Sequence, residues 1–153
     1  MDARQQRLLS AVGSGLIGAA VLTAIHQVAR ELVPGAPRMD VLGRRAIAMG
    51  LRSLGVRPPR TSMLQRYALA GDIVSNTAYY ALVGVGGGRT LRKGTLLGVL
   101  AGIGAVVLPP LMGLGRRPSR ATDATKAMTI AWYTAGGIAA GAAYRGLARP
   151  AWG

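Results

Sequence analysis

Residues 94–115 read GTLLGVLAGIGAVVLPPLMGLG, 22 positions without a charged side chain. At 1.5 Å per residue such a stretch makes about 33 Å of helix, close to the thickness of a bilayer's hydrocarbon core. Three more stretches of the same character lie on either side. Leu8–Ile25 and Ala127–Tyr144 carry no charge, and Tyr67–Gly88 carries one, Asp72. The sequence therefore predicts an all-α fold: an integral membrane bundle of four transmembrane helices over about residues 8–29, 67–88, 94–115 and 122–147, forming a single domain over 1–153.

Composition points the same way. Half of the residues are hydrophobic, yet only 5% are aromatic and none is Phe. Apolar surface built from Ala, Val, Leu, Ile and Gly fills a large soluble core poorly but suits close helix packing in lipid. The net charge of +14 comes from 17 Arg and two Lys against five acids. Because these cations sit beside and between the apolar stretches, they point to anionic lipid headgroups rather than to nucleic acid. High Arg, Ala and Gly content with scarce Lys is also what a GC-rich genome produces, so part of the Arg count has that source; the expected home is a bacterial cytoplasmic membrane. The absence of Cys excludes disulfides, thiolate metal sites and thiol nucleophiles. Arg4 and Arg7 precede the first apolar run as in a signal peptide. That run ends in His26-Gln27 rather than a small-residue cleavage site, so it reads as a retained span.

The connections are readable too. Pro34-Gly35-Ala36-Pro37 stops the first helix. Residues 40–54 predict a short helix with Asp40 as N-cap. Arg38, Arg45 and Arg52 recur every seven residues along one edge, with Ile47, Leu51 and Leu54 opposite. This is the pattern of an amphipathic interfacial helix in the first loop, with Arg38, Arg44, Arg45 and Arg52 binding lipid headgroups. Ser62-Met63-Leu64-Gln65 fits a capping box that opens the second span. Pro109-Pro110 should kink or end the third, leaving Leu111–Gly115 irregular, and Trp152 would anchor the tail at an interface. A weak similarity of residues 18–22 to 104–108, and of 78–80 to 131–133, fits two helical hairpins in tandem. Four spans put both termini on one side. Basic residues number twelve on the side of the first and third loops against seven on the terminus side, which predicts cytoplasmic first and third loops.

The polar residues inside the spans form two faces. Thr23, His26, Gln27 and Arg30 share one face of the first span; Asp72, Ser75, Asn76 and Tyr79 share one face of the second. Both faces lie toward the first loop, with His26 and Asp72 expected at similar depth. Asp72 expects Arg30 or His26 as partner, and Tyr79 expects Asn76. The cluster reads either as hydrogen-bonding glue between spans or as a polar pocket that binds a ligand or relays protons. Nothing specifies a catalytic triad, and one His with scattered carboxylates forms no metal set, so neither a catalytic residue, a metal nor a cofactor is expected. Gly13-Ser14-Gly15-Leu16-Ile17-Gly18 formally matches a dinucleotide fingerprint but follows no strand and lies inside a span. Gly94, Gly98 and Gly102 form one small-residue ridge and Gly137 and Gly141 another, suited to packing within the bundle or against a partner. Two functions fit. The first is a non-enzymatic accessory or scaffolding subunit of a larger membrane assembly, contacting anionic lipid, other subunits or a second copy. The alternative is a small transporter or lipid-binding carrier whose site is His26, Arg30, Asp72 and Asn76.

Overall fold

The computed structural model describes residues 2–86 and 88–148, and among them the fold is all-α with no strand. The expected anchor Trp152 lies outside these residues. Five helices and two short turns follow in order: α1 (Ala3–Leu32), α2 (Met39–Ser53), α3 (Thr61–Ala81) continued by a 3-10 turn (Leu82–Gly84), α4 (Thr90–Leu111), the four-residue α5 (Arg117–Arg120) and α6 (Asp123–Leu147). Two of them, α1 and α4, are long and apolar enough to cross a membrane.

Local chemistry explains most boundaries. At the start of α1, Asp2 accepts from the Gln5 amide at 2.7 Å and the Gln5 side chain accepts from the Asp2 amide at 3.2 Å, a reciprocal capping box. The helix ends just before Pro34, and Gly35 at φ 73° makes the turn. Thr122 caps α6 by accepting from the Thr125 amide at 3.0 Å. Two expected caps are not used. Asp40 lies inside the first turn of α2, whose cap is Arg38, and its carboxylate bonds that arginine and the neighbouring Val41 amide rather than capping the helix. The Ser62–Gln65 box is bypassed because α3 begins at Thr61, with its cap at Arg60 just after Pro58-Pro59, two residues before Ser62. Pro109 and Pro110 stay inside α4, which runs only to Leu111, and Gly113 and Gly115 turn with positive φ. Residues 117–120, read as loop, form one helical turn.

The long helices pack in the order α3–α1–α6–α4, and α2 lies across α3 and touches α5. Glycine decides three of the four seams. A Cβ on Gly98 would stand 2.6 Å from the Thr134 Cα, and one on Gly102 2.6 Å from the Ile130 Cα. A Cβ on Gly94 would strike the Gly137 carbonyl oxygen, and one on Gly141 would lie 2.6 Å from the Thr90 oxygen. The two glycine ridges therefore face each other and bring α4 and α6 into backbone contact. Gly18 does the same for α1 against Gly136 of α6, and Gly15 for α1 against Thr77 and Ala81 of α3. The fourth seam, α3 against α4, has few contacts. It is bridged by the Tyr79 hydroxyl, which donates to the Leu97 carbonyl at 3.0 Å. One buried cluster joins Leu22, Tyr80, Tyr133 and Ala140, with the Tyr80 hydroxyl donating to the Tyr133 carbonyl at 2.7 Å.

Candidate functional site

The loose seam widens toward the first loop into a partly open cavity of about 370 Å³. Its walls are apolar, from Leu42, Ile47, Ala68, Leu69, Ala105 and Pro109, and α2 roofs it. Polar groups gather on the α1 and α3 walls: Thr23, His26, Gln27, Arg30, Asp72 and Ser75. Six of the eight residues that the sequence places on the two polar faces thus share one cavity. Asn76 and Tyr79 stand beside it and act on its surroundings, Asn76 through Asp72 and Tyr79 through the seam.

The hydrogen-bond partners differ from those expected. Asp72 accepts from the Asn76 amide at 2.9 Å and from the Thr23 hydroxyl at 3.4 Å; it pairs with neither Arg30 nor His26. Arg30 turns outward to Glu31 at 3.0 Å. The reason is register. Asp72 is level with Thr23, three residues and about 4.5 Å deeper than His26. Tyr79 reaches across to α4 because Asn76 is engaged by the carboxylate one turn away. Ser75 donates to its own helix, to the Asp72 carbonyl at 3.2 Å.

His26 is only 8% exposed, and its ring meets Trp132 and Tyr133 edge-on at centroid distances of 5.4 and 5.7 Å. Its Nε2 is buried with no hydrogen-bond partner among the described residues. No known family, curated protein or solved structure matches the chain. The site is therefore read from its own chemistry.

The roof is fixed by the arginines that were expected to face headgroups. Arg45 donates to the Leu114 carbonyl at 2.7 Å, and Arg44 bonds Gln65 at 3.1 Å and pairs with Asp40 at 3.5 Å. Arg38 chelates Asp40 at 3.0 and 3.1 Å, while Arg52 is exposed without an ion pair among the described residues. Burial pushes the Asp40 carboxyl up, but the Arg38 hydrogen bonds and the charges of Arg38 and Arg44 outweigh it and hold the group below the usual carboxylate range. The Arg38 guanidinium is raised by the same contact. The apolar side of α2 differs as well: Leu42 and Ala48 are buried, whereas Leu54 is exposed. Gly43 lies against Ala68, so α2 is held to the bundle end by α3.

Sequence reasoning missed the cavity walls. Ala46, Ala68 and Ala105 carry no signal of their own; small side chains matter there only because neighbouring helices diverge. Asp40 and Gln65, read as capping residues, also reach the cavity lining.

Proposed function

We propose that this chain is a small four-span membrane protein that binds one amphipathic, lipid-like molecule in the cavity under α2, as a lipid-binding carrier or small transporter. The observation that carries the reading is the cavity itself, partly open, with apolar walls and a polar α1–α3 end. A pocket of a few hundred Å³ with convergent polar groups is the usual form of a small-molecule site.

The membrane setting has its own support. In α1 and α4 only 33% and 28% of the most apolar window is buried within the bundle. Leu8, Leu9 and Leu16 on α1, and Leu96, Leu100 and Leu108 on α4, point outward. A soluble chain would leave that surface to water, at roughly 25 cal/mol per Å². The other two helices have spanning length, 21 residues in α3 and 25 in α6. With four spans, α2 would lie at headgroup level, and Arg52, Arg116, Arg117 and Arg120 would meet anionic lipid. The glycine ridges, suited to packing within the bundle or against a partner, are used inside the chain. This favours the binding reading over the accessory subunit.

Gentle extraction into nanodiscs followed by native mass spectrometry tests both readings at once. Binding predicts one retained small molecule of amphiphile mass, lost when Ala105→Phe fills the cavity. A stoichiometric protein partner with no retained small molecule would instead identify an accessory subunit.

A further inference from the structure

The charges around the cavity are unequally satisfied. Arg30 is paired with Glu31, and Asp40 is paired with Arg38 and Arg44. Asp72 lines the same cavity with two neutral donors, one of them at 3.4 Å, and no cation within ion-pair distance among the described residues. A carboxylate inside a span costs about 2.5–3.5 kcal/mol unless its charge is met. No described side chain meets it. The cavity therefore presents a carboxylate with no counter-cation inside apolar walls. His26 Nε2 on the neighbouring wall is buried without a partner and closed off from the cavity space, its ring packed edge-on by Trp132 and Tyr133.

We infer that the cavity's ligand carries a protonated amine: a cationic amphiphile whose ammonium donates to the Asp72 carboxylate while its chain lies along Leu42, Leu69 and Ala105. This rests on the amphiphile-binding reading above and names its ligand class. The surrounding arginines do not oppose it. Arg30, Arg38 and Arg44 are compensated by Glu31 and Asp40, and a lipophilic amine reaches the seam from within the leaflet rather than across the basic surface.

The test uses the full chain in nanodiscs of zwitterionic lipid, with Trp152→Phe so that Trp132 is the sole indole. Trp132 packs on His26 and reports on the cavity. Tetradecylamine, tetradecanol and tetradecanoate are titrated at neutral pH, with concentrations expressed per bilayer lipid. The inference expects saturable binding of the amine at least about tenfold tighter than of the alcohol, the scale of a hydrogen bond to a charged group. Asp72→Asn should abolish that preference while alcohol binding persists. Equal binding of amine and alcohol, or an amine preference unchanged in Asp72→Asn, overturns the amine assignment and leaves amphiphile binding standing. Tightest binding of tetradecanoate overturns it in favour of an anionic head. Saturation by none of the three probes in a folded protein overturns the amphiphile reading itself, and the inference with it. If Asp72→Asn does not fold, the comparison of the three heads on the unmutated site decides alone.

Discussion

At the scale of single residues, the difference between Asp40 and Asp72 is the most instructive feature. Both are acids near the cavity, but Asp40 is held by two arginines and Asp72 by two neutral groups. The Asp40 pairs predict a specific pH dependence. Its folded pKa is depressed, so its stabilising contribution is present above the ordinary carboxylate range and is lost as pH falls through the folded value. Because Arg38 is half exposed, the contribution is modest, about 0.5–1 kcal/mol. Asp40→Asn should lower the thermal midpoint at pH 7, and the gap from wild type should narrow on acidification as the folded Asp40 takes up its proton. No gap at pH 7 would show that the pairs contribute nothing. The sequence placed His26 and Asp72 toward the same loop correctly but paired them wrongly. Spacing along one helix fixes a face; it does not fix the axial register between two helices, and a three-residue offset was enough to put Thr23 in the place of His26.

At the scale of elements, the helices were legible because they depend on local signals: long apolar runs, Pro-Pro and Gly-rich breaks, and charge. The glycine ridges were legible as ridges, whereas their partners were not, since only the fold shows that Gly94 and Gly98 meet Gly137 and Gly141 while Gly102 meets Ile130. This reverses a familiar sign. In a helix interior Gly→Ala ordinarily stabilises by up to about 1 kcal/mol. Gly50 on α2 has nothing within 4 Å of an added Cβ, and Gly50→Ala should follow that rule. Gly98→Ala should do the opposite and destabilise by about 1–3 kcal/mol through overpacking. Denaturant titration in a single detergent reads both. Equal effects of the two substitutions would mean that the α4–α6 seam is looser than described. The cavity was not legible, because it arises where α3 and α4 diverge, and divergence leaves no mark on either helix alone.

At the scale of the whole molecule, the row α3–α1–α6–α4 has three backbone-close seams and one bridged by a tyrosine. Residues 18–22 and 104–108, matched in the sequence, fall on α1 and α4, which both pack on α6. On the proposed four-span reading both termini share one side, and the count of basic residues expects that side to be opposite the cytoplasm. Periplasmically active reporters fused to either terminus should therefore both be active, and a cytoplasmic reporter at either end silent. Opposite results at the two ends would exclude an even number of spans.

The contrast between closed and open seams bears on how such a chain can change. Where α4 and α6 touch through backbone atoms, no neighbouring side chain can shrink to accommodate a larger residue, so those positions have no second solution. The wall at Ala46, Ala68 and Ala105 faces space and can exchange size or polarity without moving a helix. The scaffold is thus rigid in composition where it holds itself together and permissive where it meets a guest, so ligand preference can diverge while the architecture stays put.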